Sequence, residues 1–312
     1  MPKYLCDLHT HTNRSDGSDS PKELLDHAAA LGMHALAITD HDVRPPERIA
    51  DDSGDVALLD YARSKNLLLL RGIEISCETQ IEDTHIVGFG CDWHAPYFDE
   101  LEASVVASKV ESYRKLVDEL NRNGIAISWD EVLDNNGSPV PEHAVQKKML
   151  FELIARKGFV AGWNHAKQMI KAAPQYQINR EKPTAASAIH AIHGTGGIAV
   201  LAHPYLIAEQ VDYKGDALSR DEFIRALIAE GLDGIEANYT YDKTSYSGGM
   251  AKEAIAREIV DRYAPLVGVV SGGSDYHADH KKGVANARQI GEAGITPEAF
   301  AANPLLQRVV NT

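Results

Sequence analysis

Asp7-Leu8-His9-Thr10-His11 ends the first apolar run of the chain, residues 3 to 9, and Thr39-Asp40-His41-Asp42 ends the second, Ala35 to Thr39. In a strand, side chains two residues apart share a face, so His9 and His11 point the same way and can reach one ion. A lone His-x-His is weak, because paired histidines occur on ordinary surfaces. The pattern repeats, however. Glu74 follows the run Leu67 to Leu70, His85 opens Ile86-Val87-Gly88, His203-Pro204 follows Ile198 to Ala202, and Asp275-Tyr276-His277 follows Val267 to Gly273. Chance would scatter such residues over helix surfaces and caps. An α/β barrel gathers them, because its chemical groups come from the C-terminal ends of several strands.

The segments between these runs agree with βα units. Ser20-Pro21-Lys22-Glu23 reads as a helix start, with Ser20 and Glu23 forming a capping box and Pro21 at the first helical position; Gly32 supplies the stop. Ser219 and Glu222 open another helix, which leads into the strand-like run Gly231 to Ala237, and Val267 to Ser271 is the last strong strand. From about 95 to 190 the texture becomes helical, with Glu102 to Asn123 and Met149 to Lys157 as amphipathic stretches. The expected organisation is a barrel from residues 1–94 and 191–312, interrupted by a mainly helical subdomain over 95–190.

Composition narrows the function. The 312 residues hold 45 acidic against 31 basic side chains, a formal charge of -14. Such a surface disfavours long nucleic acid, whose phosphates are met by basic patches. Small phosphorylated substrates fit better, held through cations and a few local Lys or Arg residues. The N-terminus reaches acidic, histidine-rich sequence too early for a secretory apolar region. No apolar run approaches the ~20 residues that span a bilayer, and Cys6, Cys77 and Cys91 are odd in number and widely spaced. A cytoplasmic protein with free thiols and no membrane association is expected; protein partners are not indicated.

Taken in order, Asp7-Leu8-His9-Thr10-His11, Asp16-Gly17, Thr39-Asp40-His41-Asp42, Gly72-Ile73-Glu74, His85, His203-Pro204 and Ser274-Asp275-Tyr276-His277 resemble the motifs of the polymerase and histidinol phosphatase (PHP) family of metal-dependent phosphoesterases. The resemblance covers residues 1 to about 92 and 196 to about 280. It implies a distorted (β/α)7 barrel with two or three divalent ions at its C-terminal face. His9, His11, Glu74 and Asp275 would hold the first ion, Glu74, His85 and His203 the second, and Asp16, His41 and His277 the third. Mixed imidazole and carboxylate ligation suits manganese, the first choice, then zinc or iron. A hydroxide bridging two ions would be the nucleophile. Asp40 is expected to orient His41, Asp42 to satisfy loop amides, and Asp40 and His203 to take part in catalysis.

For the substrate, Lys182, Lys147, Lys148 and Arg44 are the expected phosphate contacts, with Tyr205 beside the His-Pro motif. Related sequences often carry a phosphate-binding lysine at the Lys182 position, whereas Tyr205-Leu206-Ile207 stands where some carry a basic residue. The loop Asn238 to Asp242 offers tyrosines to a sugar or base, weighed against ordinary surface tyrosines. The expected reaction is hydrolysis of small nucleotide or sugar phosphates, including phosphoribosyl cyclic phosphate and nucleotide 3′,5′-bisphosphates. The alternatives are 5′-3′ exonuclease action on short oligonucleotides, histidinol phosphatase activity, and amide hydrolysis.

Overall fold

The computed structural model describes residues 2–51, 54–135 and 137–310. Seven strands, β1 (Cys6–Asp7), β2 (Ala35–Ile38), β3 (Leu68–Ser76), β4 (His85–Phe89), β5 (Ile198–Leu201), β6 (Gly234–Asn238) and β7 (Val269–Gly272), lie side by side in that order. The first and last strands meet through their exits. Leu8 N–H donates to the Gly272 carbonyl at 3.1 Å, Asp275 N–H to the His9 carbonyl at 2.8 Å, and Thr10 bridges Tyr276. The sheet therefore nearly closes into a distorted seven-stranded barrel, as the sequence leads one to expect. β1 is shorter than the run from 3 to 9, because Lys3 and Tyr4 donate to the Gly291 carbonyl and Leu8 to Gly272.

Strand direction places the histidines. β1, β2 and β3 are mutually parallel, as are β5, β6 and β7, but β4 runs antiparallel to both β3 and β5. The N-terminal residue of β4, His85, pairs with Ser76 at the C-terminal end of β3. An opening residue of a reversed strand thus arrives at the rim where the other strands finish.

Alternation along the strands separates two apolar layers. Ala35 and Ala37 face the inner cluster with Leu8, Leu70, Val87 and Val200. Leu36 and Ile38 face the other way, onto Leu24, Leu25 and Ala28 of α1 (Pro21–Ala30) and Leu58 and Ala62 of α2 (Leu58–Ser64). The expected capping box of α1 is present, Ser20 accepting from Glu23 N–H and Glu23 from Ser20 N–H. The cramped exit of β7 explains one glycine: a Cβ on Gly273 would sit 2.2 Å from that of His9.

The chain divides into two compact units, Met1–Asp99 with Pro183–Thr312, and Glu100–Lys182. The second is built on residues of α3 (Pro96–Arg122), α4 (Trp129–Leu133), α5 (Lys147–Arg156) and α6 (Trp163–Ala172), around Leu116, Leu120, Ile127, Leu150, Ile154 and Ile170. In the first unit, α7 (Ala185–Gly194), α8 (Arg220–Ala229) and α9 (Lys252–Tyr263) complete the layer around the barrel. No helix among the described residues is long and apolar enough to cross a membrane.

Candidate metal centre

Glu74, on β3, is 1% exposed and is the hub of the strand-end cluster. Its Oε2 lies 3.1 Å from His9 Nε2 and 3.2 Å from both His11 Nε2 and His41 Nδ1; its Oε1 lies 2.9 Å from both His85 Nδ1 and His203 Nε2. Five imidazoles from four segments of the sequence thus converge on one carboxylate. Asp275 Oδ1 adds a second anion 3.1 Å from His11 Nε2, and Asp16 Oδ1 a third, 3.0 Å from His277 Nε2.

Three groups of donor atoms are close enough to hold an ion: His9, His11, Glu74 and Asp275; His41, Glu74 and His85; and His11, Asp16, His41 and His277. The first coincides with the set expected for the first ion. The other two share residues differently: His41 also faces Glu74, His11 joins Asp16 and His277, and His203 contributes at Glu74 without completing a group. The fit to cations rests on unpaired atoms. His9 Nε2, both nitrogens of His11, His41 Nδ1, His203 Nδ1 and Glu74 Oε2 are buried, and although several lie 3.1–3.2 Å from one another none is aligned in a hydrogen bond. Buried polar atoms are rarely left so, and an ion is what such a ring of lone pairs accommodates.

Electrostatics point the same way. Burial would raise the Glu74 carboxyl, yet His9, His41 and His85 hold it well below the usual range. Asp275 is likewise held low against its burial, chiefly by His277 and His11. Burial lowers the His41 imidazole to about 3, keeping it neutral with a lone pair available. For His11 burial opposes protonation, but Asp275 and Glu74 outweigh it and lift the ring to about 9. The carboxylates call for positive charge at this rim.

Around the cluster lies a supporting shell that sequence reading missed. Glu236, on β6, accepts from His9 Nδ1 at 3.2 Å and from His203 N–H at 2.8 Å. A carboxylate on the far nitrogen fixes the ring so that Nε2 presents its lone pair inward. Tyr239 donates to Asp275 Oδ2 at 2.6 Å. His203 and Asp275 take φ of +27° and +53°, conformations that cost about 1–3 kcal/mol each in a non-glycine residue. Their N–H bonds to Glu236 and to the His9 carbonyl hold them there.

Several expectations need correction. Asp40 does not serve His41: its oxygens accept from Thr12 N–H at 2.7 Å, Thr12 Oγ1 at 2.6 Å and Ser15 Oγ at 2.7 Å, pinning the loop that carries Asp16. Asp42 does satisfy a backbone amide, that of Ser76 at 2.8 Å. Arg44 is turned to the Trp93 carbonyl and to Asp99. Tyr239 and Tyr241 are 2% and 1% exposed, so they are buried supports and not surface tyrosines. Tyr205 is buried too, and does not line the cleft over the cluster. That cleft, of about 300 Å³, is bounded by His41, Glu74, His203, Asp275, Arg288 and Lys243 among others. Arg288 donates to Asp275 and Asp279, and Lys243 to Glu292, so the barrel itself brings two cations to the rim. Lys147, Lys148 and Lys182 belong to the helical unit, where Lys148 pairs with Glu152 and lies over the Trp163 ring.

The sequence matches the PHP domain over residues 7–191. It is 30% identical to a 5′-3′ exoribonuclease of Haemophilus influenzae over 64% of this chain and 68% of that one. It is 27% identical to a 3′,5′-nucleoside bisphosphate phosphatase of Chromobacterium violaceum over 93% and 92% of the two chains. A phosphoribosyl 1,2-cyclic phosphate 1,2-diphosphodiesterase of Eggerthella lenta is 26% identical over 87% and 93%. Among solved structures, one from Bifidobacterium adolescentis described as a metal-dependent phosphoesterase superposes with a TM-score of 0.61 at 25% identity, covering 97% and 96% of the two chains.

Proposed function

The chain belongs to the PHP domain family, and as a metal-dependent phosphoesterase of that family we propose that it hydrolyses small nucleotide or sugar phosphates, with a nucleoside 3′,5′-bisphosphate or a cyclic phosphodiester as the substrate class. The observation that carries this reading is that His9 Nε2, His11 Nε2 and His41 Nδ1 converge, buried and without a hydrogen bond, on Glu74 Oε2. His9, His11, Glu74 and Asp275 would hold one ion, His41 and His85 with Glu74 a second, and Asp16, His41, His277 and His11 a third, with His203 supporting Glu74. Manganese is the first choice, ahead of zinc and iron. Bound divalent ions supply Lewis acidity towards phosphate oxygens and water.

The chain's own residues do the rest. Glu236 fixes the His9 ring and the His203 backbone, and Tyr239 holds Asp275, so the donors are set before substrate arrives. Arg288 and Lys243 offer N–H donors to a phosphate over the cleft. Lys147, Lys148 and Lys182 of the expected insert, residues 95–190, are proposed as further phosphate contacts, while the barrel segments 1–94 and 191–312 carry the chemistry. A cytoplasmic location accords with the three free buried cysteines.

A second reading, 5′-3′ exonuclease action on short RNA, has one observation in its favour beyond the Haemophilus relative. Lys147 to Lys182 holds eight Lys and Arg residues against two Glu residues. The deciding experiment is phosphate release by chelated, manganese-reloaded protein from nucleoside bisphosphates, cyclic sugar phosphates, histidinol phosphate and short RNA. Turnover of one small ester, little affected by salt, supports the first reading. Turnover of RNA alone, with affinity falling steeply as salt rises, selects the second. Activity on amides with none on phosphates overturns both.

A further inference from the structure

A second cavity of about 380 Å³ adjoins the metal cleft and shares Leu206 and Ser245 with it. Its volume lies at the lower end of the range for small-molecule sites, about 300–1,000 Å³. Its walls are of a different kind. Tyr246 and Met250 give it aromatic and apolar surface, with the edge of the buried Tyr205 behind them, and Ser247, Gly248 and Gly249 give it exposed backbone. Its one cation, Arg220, is already committed: the guanidinium donates to the Ile207 carbonyl at 2.9 Å and lies 4.1 Å from the centre of the Tyr205 ring. The carboxylate of Glu209 also lines it. Such a cavity has no net charge to draw a second phosphate, and its aromatic and apolar wall suits a flat, uncharged ring.

The two cavities are joined by packed tyrosines. Tyr246 meets Tyr241 edge-on at 5.5 Å, Tyr241 meets Tyr239 at 4.9 Å, and Tyr239 donates to Asp275 in the metal centre. The loop that closes the outer side is built on the same ring: a Cβ on Gly248 would collide with Tyr246, and Met250 N–H donates to the Tyr246 hydroxyl at 3.4 Å. The distance from the ring-binding wall to the reacting centre is thereby set by buried contacts. Resting on the phosphoesterase reading, we propose that this cavity is a leaving-group pocket, in which Tyr246 and Met250 flank the nucleobase of an ester whose phosphate lies over the metal centre. It makes the enzyme selective for nucleotides over sugar phosphates.

The test uses the full-length, metal-loaded protein with two substitutions. Ala208 lines the cavity and is exposed, so Ala208→Trp fills the space without removing a buried group. Met250→Ala strips the exposed apolar rim and guards against misfolding of the first variant. The readouts are the ratio of kcat/KM for adenosine 3′,5′-bisphosphate to that for ribose 5-phosphate, and binding of uncharged adenosine by saturation-transfer NMR. The ratio should fall about tenfold in Ala208→Trp, through KM and not kcat, and severalfold in Met250→Ala, and the Trp variant should lose adenosine binding. An unmoved ratio in both variants, or adenosine binding equally well to the Trp variant, overturns the pocket. If no phosphate is hydrolysed at all while Ala208→Trp still abolishes adenosine binding, the pocket stands and the reaction proposed above falls.

Discussion

The barrel unit and the helical unit spend their interiors differently. Among the described residues, the buried polar and charged side chains include Asp7, His9, His11, Asp40, Glu74, His203, Glu236 and Asp275 in the barrel, whereas Ser112 is the single one from Glu100–Lys182. The surfaces differ as well. Glu100–Lys182 carries twelve Lys and Arg against eleven Asp and Glu; of the totals of 31 and 45, that leaves the barrel 19 against 34. Burying charge is costly unless each group is paired or meets a cation. A barrel that keeps this many ionisable groups inside is organised around cations, while the helical unit has an apolar core and a near-neutral, lysine-bearing surface. Metal chemistry should therefore respond to changes in the barrel alone, and substrate affinity to changes in either.

The largest expected effect is at the hub. Glu74→Gln leaves the imidazoles one neutral amide in place of a shared carboxylate. Bound metal should be lost and phosphate release should fall to the level of the chelated protein, measured by elemental analysis beside turnover. Retention of both would break the comparison. Next in size is Glu236→Gln, which removes the carboxylate behind His9 without touching the ions; titration calorimetry should show metal affinity weakened by about 10–100-fold.

The pH dependence follows from His11, whose ring the neighbouring carboxylates lift to about 9. Below that value the ring is protonated in the metal-free chain, and an ion must displace the proton. Affinity should weaken by up to about tenfold for each unit of pH lowered from 9 towards 6. A metal dissociation constant flat across that range would contradict the assignment of His11. The smallest effect sharpens the other side: Lys147→Ala and Lys182→Ala should each raise KM by about 3–10-fold with metal content unchanged.

What was legible in the sequence, and what was not, follows the same division. The strand ends could be read because a barrel turns a one-dimensional rule, polar residues just after short apolar runs, into a three-dimensional rim; His85 obeys it only because β4 is reversed. The helix starts at Ser20 and Ser219 were equally plain, since a capping box is local. The supporting groups were not. Glu236 had a signal that went unused, an acidic residue between Ile235 and Ala237 inside a buried strand. Arg288 had none, for it reaches Asp275 from a segment without regular structure. Asp40 misled because adjacency to His41 suggested a partnership, whereas its oxygens turn to Thr12 and Ser15, whose loop lies nearly thirty residues earlier. Lysines of the helical unit are visible as charges, but a charge on a solvated helix carries no address for its partner.

The most direct test of the central claim is a manganese titration of chelated protein, following phosphate release from adenosine 3′,5′-bisphosphate. The strand-end cluster predicts no release from the chelated protein and a rise that saturates at two or three ions per chain. Release that is undiminished by chelation, or ions that bind at this stoichiometry without any hydrolysis across the phosphate panel, would contradict it.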